Sequence, residues 1–242
     1  MIAFLSVLIG WIVQGLIGLG SGIISTAILL FFFNAKEVVV SLSIIALTGT
    51  IYLSWKNYRG NFFLKEILIL SIFSFIGAGI GSFLLEKLNP KDIELIFGIV
   101  ITLTGIYDFY SQKKKIFIHS KHKTIFGVFT GTVGGIISGL IGGAGPLYAF
   151  YLNQTIHSKN DFKFIISFVF VILNIERILF YLVSPELRTL FNWEIVIPGM
   201  VGVVIGAYLG NYLTGKLPTQ KFKELVSLSI VIFGVYFIFK SF

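Results

Sequence analysis

Long apolar runs without a charge alternate with short polar interruptions along the whole chain. The runs cover Met1 to Ala35, Val38 to Ser54, Ile67 to Leu85, Leu95 to Tyr107, Thr124 to Leu152, Ile195 to Gly215 and Leu225 to Phe239. With their flanks the shorter ones reach about 20 residues, enough for a helix to span a hydrocarbon core about 30 Å thick. An eighth segment, Phe164 to Val183, is apolar but carries Glu176 and Arg177. The pattern predicts an all-α, polytopic integral membrane protein.

Two of the runs are too long for one crossing. Met1 to Ala35 as a single helix would measure roughly 50 Å at 1.5 Å per residue. Each long run has a glycine-rich break: Gln14-Gly-Leu-Ile-Gly-Leu-Gly-Ser-Gly22 in the first and, 124 positions on, Ser138-Gly-Leu-Ile-Gly-Gly-Ala-Gly-Pro146 in the second. Glycine inside a helix costs about 1 kcal/mol against alanine, so these are the places where a helix stops. Backbone unwound at membrane depth exposes N–H and C=O groups, tolerable only where it is buried in protein or lines a polar cavity. A paired break is therefore a pointer to a substrate site.

The likeness between the halves extends beyond the breaks. Gly77-Ala-Gly-Ile-Gly81 corresponds to Gly206-Ala-Tyr-Leu-Gly210, Lys87-Leu88 to Lys216-Leu217 and Gly105 to Gly234, now at an offset of 129. Several matches in one order indicate a duplication, with about five residues gained by the second half. The division expected is a first transmembrane repeat over 1–112, a basic cytoplasmic linker over 113–123 and a second repeat over 124–242. Small residues spaced as Gly-xxx-Gly suit close helix contact in lipid.

Loop charge chooses between two arrangements. If eight segments each cross once, with the 113–123 loop inside, ten Lys/Arg lie inside and eight outside. If both broken segments enter and return on one side, thirteen lie inside, Lys159 and Lys163 among them, against five outside: Lys36, Lys87, Lys91, Arg188 and Lys240. The second arrangement obeys the positive-inside bias better. It makes the halves inverted repeats, each with a re-entrant or discontinuous helix, and puts both termini outside.

Composition agrees with the pattern and removes some chemistry. At 56% hydrophobic and 12% charged residues, a mean hydropathy of +0.93 exceeds what a soluble core of this size would hide. Met1 opens an apolar run with no basic region before it, so a cleaved signal peptide is not expected. There is no cysteine, which excludes disulfides and thiolate sites. The net charge of +8 comes mostly from loop lysines, as the positive-inside rule requires, and need not mean nucleic acid.

Candidate chemistry concentrates in the eighth segment. Asn174, Arg177 and Tyr181 fall at i, i+3 and i+7 and share one helix face. An amide, a guanidinium and a phenol in one stripe suit an oxyanion, because the guanidinium fork offers paired N–H donors to two oxygens. The plainer reading is that Arg177 pairs with Glu176 or reaches an interface, yet neighbours in a helix point about 100° apart. The breaks, with Gly20, Ser21 and Gly22 in one and Ala144, Gly145 and Pro146 in the other, add donors: where a helix restarts after Gly22 or Pro146, its first N–H groups lack intrahelical partners and its positive dipole end faces the gap. Pro146 fits such a first turn, while Gly15 and Gly139 read as packing residues. Glu176, the single acidic residue at membrane depth, is the candidate proton carrier. Gly18-Leu-Gly-Ser-Gly22 is not a nucleotide loop, since no strand precedes it. Ser21 has no base at hand for hydrolase chemistry, because His119, His122 and His157 fall in predicted loops.

Taken together, Gly18-Leu-Gly-Ser-Gly22, Gly142-Gly-Ala-Gly-Pro146 and the Asn174, Arg177, Tyr181 series resemble the TauE/SafE family of sulfite exporter-like permeases. The likeness runs over nearly the whole chain. Ser21 and Ala144 stand where that family usually has glycine, and Ala27 where it often has proline. The resemblance implies a secondary transporter that moves sulfite or a small sulfur-containing organic anion, usually outward, across the cell inner (plasma) membrane. No cofactor, metal or catalytic residue is expected; the partners are the anion, the lipid bilayer and protons as coupling ions. A passive anion channel is the alternative, with a membrane-embedded enzyme or an assembly subunit behind it.

Overall fold

A computed structural model of the chain describes residues 1–111, 123–156, 158–214 and 219–241. The linker short of Lys123, the three histidines and the Lys216-Leu217 match lie outside the described residues. The described residues form ten α-helices: α1 (Ile2–Ile17), α2 (Ser21–Leu29), α3 (Ala35–Asn57), α4 (Leu64–Lys87), α5 (Pro90–Ser111), α6 (Lys123–Ile141), α7 (Gly145–Thr155), α8 (Lys159–Val183), α9 (Trp193–Leu213) and α10 (Thr219–Lys240). One 3₁₀ turn, Leu187–Thr189, precedes α9, and no strand occurs among the described residues. Five of the helices, α3, α4, α6, α8 and α9, are long and apolar enough to cross a membrane.

Both long runs break at the glycines. The backbone after α1 takes φ +96° at Gly18 and +112° at Gly20, and the backbone after α6 takes +73° at Gly142. L side chains rarely enter this left-handed region, so glycine is what permits the turn. After each turn the chain retraces its path. Ser25 Oγ donates to Ser6 O at 3.3 Å, so α2 runs back along α1. In the second half a Cβ at Gly134 would lie 2.8 Å from Tyr148 Cζ, and one at Gly127 would lie 2.9 Å from the Tyr151 hydroxyl, so α7 runs back along α6. Each broken segment is thus a helical hairpin.

The Gly-xxx-Gly stripes do more than tighten their own half. Gly77 and Gly81 of α4 face α6, where a Cβ would meet Gly135 Cα at 2.9 Å and Gly139 Cα at 3.0 Å respectively. Gly206 and Gly210 of α9 face α1 in the same way, at 2.7 Å from Leu8 O and 2.9 Å from Gly15 Cα. Each half lends a helix to the other half's hairpin. Gly15 and Gly139 are packing residues as expected, their missing side chains making room for Gly210 and Ala78.

Long helices begin and end in two polar layers. At one end Lys36 Nζ bonds Glu186 and Glu86 O, both at 2.7 Å, Glu37 accepts from Asn192 Nδ2 at 2.9 Å, and Lys240 pairs with Glu94 at 2.9 Å. At the other end Asn61 reaches Asp161 at 3.4 Å. Lys163 belongs to that layer but corrects the sequence reading, which put it and Lys159 in a loop. Ser158 caps α8 through the Asp161 N–H, so the helix starts at Lys159, five residues before the apolar run. Lys163 is buried there, donating to Gly15 O at 2.6 Å and Thr214 Oγ1 at 2.7 Å. Gly15 O sits in the last turn of α1, where carbonyls lack intrahelical donors and a cation is favoured.

Candidate functional site

The two hairpin turns meet each other. Gly22 abuts the carbonyl of Gly142 with no room for a side chain, and a Cβ there would come 3.9 Å from Gly143 Cα. The first helix restarts at Ser21, two residues earlier than a restart after Gly22, because Ser21 N–H is already held by the Gln14 side chain at 3.1 Å. Ile24 N–H makes the first intrahelical bond of α2, to Gly20 O, leaving Gly22 and Ile23 N–H without one. In α7, which starts at Gly145, Pro146 occupies the first turn.

Helix α8 supplies the cation. Arg177 Nη1 donates to Asn174 Oδ1 at 3.0 Å, Nε to the Tyr181 hydroxyl at 3.2 Å and Nη2 to Val39 O of α3 at 3.0 Å. Tyr181 passes its own hydrogen to Gly139 O at 2.6 Å, and Asn174 Nδ2 donates to Phe170 O at 2.7 Å. The expected stripe on one face is present, and its members lock each other. Arg177 is 2% exposed, yet every acceptor it meets is neutral and no carboxylate pairs with it among the described residues. Three of its five N–H groups are used; one on each terminal nitrogen is left.

A cavity of about 50 Å³ opens beside that guanidinium. One water needs roughly 10–15 Å³ on the same scale, so the space suits a few waters or an anion of a few heavy atoms. Its walls are the two breaks, Ala46 and Thr50 of α3, and α8 from Phe170 to Arg177. Of the residues singled out in the sequence, Gly20, Ser21, Gly22, Ala144, Gly145, Asn174 and Arg177 line it. Tyr181 and Pro146 do not: the first stands behind Arg177, and the second is buried in the first turn of α7. Sequence reasoning missed Gln14, Ser138, Thr50 and Phe170 as lining residues. The repeat offset held the clue, since 14 and 138, 46 and 170, and 50 and 174 are all 124 apart.

Glu176 points elsewhere. Buried on another face of α8, it meets Ser74 Oγ of α4 at 2.9 Å, while Ser74 also reaches Ser71 O at 3.0 Å. The adjacent Glu176 and Arg177 therefore serve separate polar clusters and form no ion pair.

The family model described as Sulfite exporter TauE/SafE matches residues 2–237. The chain belongs to the TauE/SafE sulfite exporter family. Neither a curated protein nor a solved structure matches it. The TauE/SafE match takes in both hairpins and all the cavity-lining residues, and it makes the chain a multi-pass membrane protein of a transporter family.

Proposed function

We propose that the chain is a secondary transporter that exports sulfite or a small sulfur-containing organic anion, with the cavity between the two breaks as its midplane substrate site. The observation that carries this reading is Arg177: a buried guanidinium with no counter-charge, next to a space sized for a small anion. Burying a lone charge costs several kcal/mol, so a resident anion is the natural compensation. Arg177 with Asn174 forms the anion-holding wall, and Tyr181 fixes the fork from behind. Gly20, Ser21, Gly22, Ala144 and Gly145 shape the opposite wall, and Pro146 stands behind it in the first turn of α7, so that helix N-termini are brought toward the negative charge.

The halves are read as inverted repeats. Support comes from the hairpins and from the helix ends: Lys36, Lys87, Lys91, Arg188 and Lys240, the five residues assigned outside, all sit where α3, α5 and α9 begin or α4, α8 and α10 end. The protein then resides in the cell inner (plasma) membrane, and rocking of one half against the other gives the anion alternate access. An ion gradient or the membrane potential drives it, with Glu176 as the proton carrier.

The test is uptake of labelled sulfite into proteoliposomes with and without a pH gradient, comparing the intact protein with Arg177→Ala. Saturable, gradient-sensitive flux that the substitution abolishes is expected. Flux equal to empty vesicles removes the substrate assignment, and current in planar bilayers at channel rates replaces the carrier with a passive anion channel.

A further inference from the structure

The transport reading leaves three polar side chains of the cavity without a task, Gln14, Thr50 and Ser138, and Gln14 is the one with an amide. It is 3% exposed, lies on the last turn but one of α1 and lines the cavity. Its orientation follows from its partners. Both Ser21 N–H and the Ser21 hydroxyl approach one terminal atom of the amide. A backbone N–H can only donate, so that atom is the oxygen. The NH₂ end is then turned away from Ser21, and among the described residues it has no hydrogen-bond partner. Among the described residues the side-chain polar atoms that are both sealed off and unpartnered are the Thr26, Ser71, Ser82, Thr130 and Ser167 hydroxyls, so the unpartnered NH₂ of Gln14 is open to the cavity. A buried amide donor without a partner, on the wall of a cavity, is costly unless something in the cavity accepts from it.

We propose that Gln14 is a specificity-determining residue: its Nε2 donates to the oxyanion held by Arg177, and Ser21 positions that amide by holding its oxygen. This rests on the anion-transport reading and sharpens its substrate class. The cavity wall contains Arg177 and no carboxylate. An ammonium group on the substrate would be buried there with no carboxylate to pair with it, so the site takes oxyanions without a cationic group and excludes zwitterionic aminosulfonates. The second half lacks the device: the matching position is Ser138, and α7 has no side-chain cap. The asymmetry places the cationic donor on one side of the ligand and the neutral amide on the other.

The discriminating variant is Gln14→Glu. One carboxylate oxygen can still accept from Ser21 N–H and hydroxyl, and a negative charge at a helix N-terminus is favourable, so a merely structural cap survives. The other oxygen replaces the NH₂ with an acceptor that repels an anion. Binding of sulfite, ethanesulfonate and 2-aminoethanesulfonate to the purified full chain is measured by titration calorimetry, with a melting curve for each variant. Wild-type protein is expected to bind the first two and to prefer ethanesulfonate over its amino counterpart. In Gln14→Glu, sulfite affinity falls at least tenfold, the loss of a hydrogen bond to a charged group, and the preference between the two sulfonates narrows or reverses. Gln14→Met, which keeps the volume and removes both functions of the amide, loses sulfite binding to a similar extent and covers the case in which the glutamate variant does not fold. Sulfite binding unchanged in either folded variant overturns the proposal and leaves Gln14 a helix cap. Wild-type protein that binds none of the three probes removes the anion-transport reading itself.

Discussion

Replacing Arg177 by lysine keeps the buried charge and discards the fork, which separates the two things the guanidinium does. Its three bonds run to Asn174 Oδ1, Val39 O and Tyr181 Oη at 3.0, 3.0 and 3.2 Å, acceptors on three different sides of a planar group. An ammonium carries its three donors on one atom and cannot reach all three places while also facing the cavity. Two of the bonds are lost, each worth about 1.5–3 kcal/mol as a charge-assisted hydrogen bond. The low end applies, because Tyr181 keeps Gly139 O and Asn174 keeps Phe170 O as partners. Arg177→Lys should therefore weaken the fold by about 3 kcal/mol. For the anion, two parallel N–H contacts become one, so affinity should fall about 10- to 100-fold. Calorimetric titration of sulfite into the purified protein, with thermal melting in the same buffer and Arg177→Ala alongside, checks both numbers. Sulfite affinity in Arg177→Lys within twofold of wild type would refute the reasoning, because charge alone would then suffice.

Gly142→Ala forces an L side chain to φ +73° and brings its Cβ to 3.1 Å from Arg177 Nη2, so sulfite flux in proteoliposomes should fall by a factor of about ten for a cost of the order of 1–2 kcal/mol; undiminished flux would show that the guanidinium is not pinned there. Glu176→Gln fixes the neutral form of a carboxyl that contacts Ser74 and lies off the cavity, so transport should lose its pH dependence while sulfite binding stays; a retained pH profile would remove Glu176 as carrier. The chain has no cysteine, so Arg59→Cys and Arg188→Cys each create a single thiol. A membrane-impermeant maleimide applied to intact cells should modify Arg188→Cys and spare Arg59→Cys, and equal labelling would contradict the inverted-repeat orientation.

What the sequence determined by itself was everything that depends on spacing along one helix. Run length against bilayer thickness gave the membrane class. The glycine clusters marked both breaks, since a long apolar run must stop where backbone freedom is greatest. A 3.6-residue period put Asn174, Arg177 and Tyr181 on one face, and the structure finds them bonded to one another. Tertiary structure alone decided the pairings between distant segments. Gly77 and Gly81 pack on α6 and Gly206 and Gly210 on α1, an exchange between halves that a glycine stripe cannot announce, because small residues state how close a neighbour comes and not which neighbour it is. Lys163 looked like a loop charge until Gly15 O and Thr214 were seen to receive it. Val39 contributes only a backbone carbonyl to Arg177, which no side-chain pattern encodes. Gln14 was visible at the head of the first break, but which end of its amide faces the cavity is fixed by Ser21, and Ser21 reaches it only because the chain turns at Gly18 and Gly20.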